Sequence, residues 1–149
     1  MTSDSSFLGT GWSFPPTFDL GARADLGTYP TALVSAEEDI EQSLRILLST
    51  APGERVMHPT FGCGLNRMVF EHVTESTITA IKDLIRRAIL FFEPRITLDD
   101  IDVDRTDLFK GELRLRLAYT IKPTNTRGNL VYPLYLQEGT DAGASEFPA

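Results

Sequence analysis

The chain predicts an α+β domain: two main helices packed on one face of a small antiparallel sheet of three strands or slightly more, preceded by an extended N-terminal arm. Three observations carry that prediction. Two segments repeat their apolar residues at helical spacing, residues 112–121 alternate between apolar and polar side chains, and the last third of the chain up to residue 136 is largely strand-like. The organisation that follows is an arm over residues 1–34, one domain over 35–136 and a flexible tail over 137–149.

The arm is rich in Gly, Pro, Ser and Thr, and its Leu8-Gly-Thr-Gly-Trp-Ser-Phe-Pro-Pro16 stretch cannot be helical beyond a turn, because Gly is permissive and Pro-Pro locks an extended chain. It nevertheless carries Phe7, Trp12, Phe14 and Phe18, which a plain linker would lack, so it docks either on its own domain or on a partner. The first helix opens at Ser35, with Glu38 three residues on as a capping box. Its apolar stripe is Ile40, Leu44, Leu47 and Leu48, Glu41 and Arg45 pair on its flank, and Ala51-Pro52-Gly53 stops it. Residues 54–72 read as a short strand and then a compact loop around Gly62-Cys63-Gly64. Thr74 caps the second helix, whose buried face is Ile78, Ile81, Ile85, Ile89 and Phe92. Pro94 ends it after about 17 residues, roughly 25 Å.

The first strand, Ile96 to Arg105, shifts its apolar parity between Leu98 and Ile101, which a bulge at Asp99-Asp100 would produce. Lys110-Gly111 turns the chain into the cleanest strand, Glu112 to Ile121. A loop at Pro123 to Asn129 leads to a third strand, Leu130 to Leu136, where Pro133 implies an edge or an outward-facing proline. The long, regular 112–121 strand is open to two readings. It is an exposed edge able to accept a strand from another chain, blunted by Arg114 and Arg116, or it is the middle strand.

Composition bounds the function. The 149 residues are 42% hydrophobic and 23% charged, an ordinary single domain with enough apolar content to bury a core. Nothing is continuous enough to span a membrane, and the N-terminus lacks the basic start and apolar run of a secretory signal, so the expectation is a chain cytoplasmic when made. With 14 basic against 21 acidic side chains and a net charge of −7, nucleic acid is not the expected partner. A lone Cys63 provides neither a disulfide framework nor a thiolate zinc site, and no cofactor is expected.

The aspartates at 99, 100, 102, 104 and 107 lack the Gly and Glu that a calcium loop starting at Asp100 needs, and strand alternation explains Asp100, Asp102 and Asp104 as a solvated face. Cys63 with His58 or His72 is a weak thiol pair, since a lone cysteine is more often a small buried hydrophobe. Glu54, Glu71, Glu75 and Glu93 offer carboxyls for glycoside hydrolysis but no spacing that sets two across a sugar. More informative is Glu93-Pro94-Arg95. A carboxylate at a helix C-terminus faces the negative end of the dipole and requires compensation, and residues i and i+2 around Pro94 present both charges to one side. The pair is either an internal ion pair fixing the corner, which the energetics favour, or a rigid fork for a partner protein.

Four ordered segments carry a resemblance: Leu8 to Pro16; Asp39-Ile40 through Leu47-Leu48-Ser-Thr50; Pro52-Gly-Glu-Arg-Val-Met-His-Pro-Thr-Phe-Gly-Cys-Gly-Leu65; and Phe91-Phe-Glu-Pro-Arg-Ile96. Together they resemble the gene-product-25-like baseplate wedge family of contractile phage tails, type VI secretion and extracellular injection systems, over about residues 8–136. The resemblance implies a non-enzymatic structural role without cofactor or metal. In that role the protein links wedge proteins and the inner tube or hub to the sheath subunit, in several copies of a symmetric baseplate, and its sheet seeds the sheath by strand exchange. It implies partner contacts at Glu93, Pro94 and Arg95; Arg114 and Arg116 on the strand and Trp12 and Phe14 of the arm are the other candidates. The alternatives are a lysozyme-like peptidoglycan hydrolase and a regulatory anti-adaptor of the same fold.

Overall fold

The computed structural model describes residues 8–18, 31, 33–70 and 72–136. Two short strands, β1 (Thr10–Trp12) and β2 (Leu33–Ser35), are followed by helices α1 (Ala36–Ser49) and α2 (Glu75–Phe92). Three strands complete the chain: β3 (Ile96–Asp104), β4 (Glu112–Ile121) and β5 (Thr126–Tyr135). Ile40, Leu44, Leu47 and Leu48 of α1 and Ile78, Ile81, Ile85 and Ile89 of α2 are all buried, as their spacing predicts. Together with Leu113, Leu115, Leu117, Tyr119 and Ile121 of β4 and with Leu130 and Leu134 of β5, most of them form one continuous core between the helices and the inner face of the sheet.

The helix ends follow the local chemistry. Thr74 accepts a hydrogen bond from the Thr77 amide at 3.2 Å, and α2 gives way to Glu93 one residue before Pro94. At α1 the expected capping box is absent: the Ser35 side chain makes no cap hydrogen bond. Ser35 closes β2 instead, paired with Thr10, and the Ala36 amide donates to Gly9 O at 3.3 Å, so the arm's backbone serves the helix N-terminus. Glu41 and Arg45 pair at 2.9 Å as expected.

The antiparallel order β3-β4-β5 places β4 in the centre. The reading of 112–121 as an exposed edge is therefore corrected: β4 uses both sides of its backbone inside the sheet, and the edges are β3 and β5. Pro133 accordingly sits on an edge strand, where its missing N–H costs no ladder bond if it faces out. The bulge falls where parity predicts it, the register shifting between Leu98 and Asp100. β5 begins at Thr126, four residues before the expected start. Thr126 to Asn129 are polar and include Gly128, which hides the strand from a hydropathy pattern; pairing with β4 extends it, and the Tyr119 ring occupies the space a Cβ at Gly128 would need. Among the described residues, the short strand expected within 54–72 does not form. Residues 51–64 bond to themselves through turns and lead into a 3-10 segment, Leu65–Phe70, which leaves no ladder partner. The tail over 137–149, Glu71 and, within the arm, residues 1–7 (with Phe7), 19–30 and 32 lie outside the described residues.

Candidate functional site

Pro94 brings Glu93 and Arg95 to one side of the corner between α2 and β3, and there they meet each other. Arg95 Nε donates to Glu93 Oε1 at 2.6 Å and Nη2 to Oε2 at 2.8 Å, a two-pronged ion pair. Ser43 Oγ of α1 adds a third donor to Oε2 at 2.6 Å. The remaining arm of the guanidinium, Nη1, reaches Asp39 Oδ2 of α1 at 2.7 Å and the Leu8 carbonyl at 3.0 Å. One arginine thus ties together the end of α2, the flank of α1 and the N-terminal arm. Gly11 makes this possible: a Cβ there would collide with the Asp39 carboxylate.

The electrostatics agree with the geometry. Glu93 is 3% exposed. Burial by itself pushes its pKa up, yet the Arg95 and Ser43 hydrogen bonds outweigh that and hold the carboxyl below the usual range. The Glu93 hydrogen bond in turn raises the guanidinium's affinity for its proton, against a smaller opposing effect of burial. The carboxylate facing the negative end of the α2 dipole is therefore compensated from inside the molecule. Of the two sequence readings, the observed contacts are those of the internal ion pair; the Glu93 carboxylate has no face turned outward, and Arg95 keeps a side-chain exposure of 29%.

The other candidate residues lie elsewhere. Arg114 and Arg116 project from the solvent-facing side of the central strand, and each is neutralised locally. Arg116 pairs with Asp104 at 2.9 Å, and Arg114 with Asp107 at 2.8 Å and Glu112 at 2.9 Å. Trp12 and Phe14 are exposed by 69% and 56%, so this stretch of the arm attaches through its backbone and through buried Leu8 while Trp12, Phe14 and Phe18 face outward. The Phe14 amide donates to Gln42 Oε1 at 2.7 Å, anchoring this display on α1.

Sequence reasoning missed Asp39, Ser43 and the Leu8 carbonyl as members of the network. They stand 50 or more residues from their partners, and only α1 stacking beside α2, with the arm paired to β2 at the start of α1, brings them together. The thiol pair is not assembled: Cys63 is buried and its pKa is pushed up to about 12 by desolvation, while His58 and His72 are exposed. Asp100 and Asp102 lie exposed along β3, and Asp104 is taken up by Arg116.

Comparison with known proteins gives this arrangement its context. The family model of baseplate wedge protein gp25 matches residues 34–126. Baseplate protein W of Escherichia phage P2 is 31% identical over 97 residues, covering 65% of this chain and 83% of that protein. Baseplate wedge protein gp25 of Enterobacteria phage T4 is 37% identical over 57 residues, 38% of this chain; the matched part is 43% of the T4 protein. Among solved structures, a Geobacter sulfurreducens protein provisionally named a tail lysozyme is 44% identical, with a TM-score of 0.68 over 72% of this chain and 97% of that one. A chain of the anti-feeding prophage baseplate is 28% identical, with a TM-score of 0.60 over 92% of both chains. The match over most of the domain and the shared fold lead to one conclusion: this chain belongs to the gp25-like family of baseplate wedge proteins, structural components of contractile tail systems.

Proposed function

We propose that this protein is a non-enzymatic baseplate subunit that joins wedge proteins and the inner tube to the first sheath ring, and that it seeds the sheath by accepting a strand at the edge of its own sheet. The observation that carries the second part is the strand order. With β4 in the centre, β5 is an outer strand carrying exposed Val131 and Tyr135, whereas the opposite edge, β3, is bent by its bulge and lined by Asp99, Asp100 and Asp102. Bulges, charges and prolines are the ordinary means of closing an edge to added strands; β5 carries one of these in Pro133, which removes a single donor, whereas β3 combines a bulge with a run of aspartates, so β5 is the more receptive side.

In this reading the Glu93-Pro94-Arg95 corner contributes by rigidity. It locks α1, α2 and the arm into one body, so that wedge proteins meet Arg95, Trp12 and Phe14 in a fixed arrangement, with Arg114 and Arg116 a second polar surface on the sheet. The test is association of the purified full chain with the sheath subunit and the wedge protein of its own particle. Stable complexes with both are expected; failure to bind either would count decisively against the linking role.

The name of the Geobacter relative raises hydrolysis as the second reading. The chemistry opposes it: a glycosidase acid needs a raised pKa, and Glu93, the buried carboxylate among the described residues, is held ionised by Arg95. Purified protein is expected to leave the turbidity of a peptidoglycan suspension unchanged.

A further inference from the structure

Residues 51–62 between α1 and the Cys63 turn form a compact loop with a closed neck. The Cys63 amide donates to Thr50 O at 3.1 Å and the Gly53 amide to Pro59 O at 2.7 Å. Within it the Glu54, His58 and Phe61 amides donate to Ala51, Arg55 and His58 carbonyls, and Glu54 Oε2 accepts from the Ala51 amide at 2.9 Å. Gly62, at φ +130°, folds the chain back so closely that a Cβ would stand 2.5 Å from Thr50 O. The Arg55 guanidinium lies 4.3 Å from the centre of the Phe61 ring, and Phe61 packs edge-on against Phe92 at the end of α2, 5.1 Å between centroids. The loop is therefore rigid and fastened to the body beside the Glu93-Arg95 corner.

Its apex holds Val56 and Met57 at 91% and 88% exposure. A scattered apolar residue on a surface means little, but two adjacent ones at the tip of a self-bonded loop are different. The ordering that binding normally costs has already been met by folding. We infer that the Val56-Met57 apex is a docking knob that inserts into an apolar socket of a neighbouring baseplate subunit, with a carboxylate at the socket's rim facing Arg55. A protein partner fits better than a lipid surface: the apex is flanked in sequence by acidic Glu54 as well as Arg55 and the chain carries a net charge of −7, whereas loops that enter anionic membranes surround their apolar tip with cations.

This inference rests on the baseplate reading, and its test separates the two. Particles are assembled in the producing cell with either the parent chain or the near-isosteric double variant Val56→Thr, Met57→Gln, and the protein is quantified in purified particles. A photo-crosslinking phenylalanine analogue at position 57 identifies the contact. The variant should melt within a degree or two of the parent, because both side chains lie in water, while its content in particles falls at least tenfold. The crosslink should join position 57 to an apolar cleft of another subunit, and Val56→Ile with Met57→Leu should restore incorporation. Incorporation of the polar variant at the parent level overturns the inference. So does sedimentation of the parent, lost in the variant, with phosphatidylglycerol–phosphatidylcholine vesicles, or a parent dimer that the variant abolishes. Absence of the parent chain itself from purified particles overturns the baseplate reading, and this inference with it.

Discussion

At the scale of single residues, Arg95 is the side chain on which most depends. It neutralises a carboxylate that is 3% exposed and also holds Asp39 and the Leu8 carbonyl. Arg95→Ala leaves Glu93 charged and unpaired inside the corner, and stripping one partner from a buried pair costs about 3–5 kcal/mol; urea unfolding should register a loss of that order. Glu93 also predicts the acid limb of stability. Its folded pKa lies below its unfolded value, so its contribution is fully present above the unfolded value of about 4.3 and is lost as pH falls through the folded one. The unfolding midpoint should therefore drop between about pH 5 and pH 3, and less steeply in Glu93→Gln, which has no such proton to gain. Cys63, buried with a thiol pKa pushed up to about 12, should react with DTNB at neutral pH only as fast as the protein opens. The Glu93–Arg95 pairing was legible in the sequence, since an acid at a helix C-terminus demands a cation and Pro94 sets both on one side. Asp39 and Ser43 were not: an aspartate and a serine on the flank of α1, half-buried once folded, carry no local mark of the residue they will meet.

At the scale of elements, the proposed docking edge of the sheet is open to test. Val131 lies opposite Arg116 and Tyr135 opposite Glu112, so Val131→Glu with Tyr135→Lys adds cross-strand charge pairs and should leave the melting temperature within a few degrees. The same pair places charge along the receptive edge, and affinity for the sheath subunit should fall roughly tenfold in a pull-down titration, equivalent to about 1.4 kcal/mol. An unchanged affinity would move the docking edge away from β5. The helices, the β3 bulge and the β4 strand could be read in advance because each is a periodicity of 3.6 or 2 within one segment. The start of β5 could not. Thr126 to Asn129 alternate no hydrophobicity and become a strand because β4 offers a partner and Tyr119 covers Gly128.

At the scale of the whole molecule, the Arg95 network fastens the end of α2, α1 and the Leu8 end of the arm to one another, and the shared apolar core joins both helices to the sheet. Such a body suits a part held between other subunits. Cells lacking this protein should produce tubes and baseplate fragments without ordered sheath, seen by negative-stain electron microscopy, and the full chain supplied in trans should restore sheathed particles. Straight sheath of normal length in its absence would refute the seeding role.

By itself the sequence determined the two helices, their buried faces, the Thr74 cap, the bulge at Asp99 and the charge pair flanking Pro94, because each arises from interactions within a few residues of chain. Only the tertiary structure decided that β4 lies between β3 and β5, that Thr10–Trp12 pairs with Leu33–Ser35 at the start of α1, and that Asp39, Ser43 and Leu8 converge on the corner. Strand order and distant hydrogen bonds depend on which surfaces the packed core leaves adjacent, and a one-dimensional pattern of hydropathy and charge holds no record of that choice.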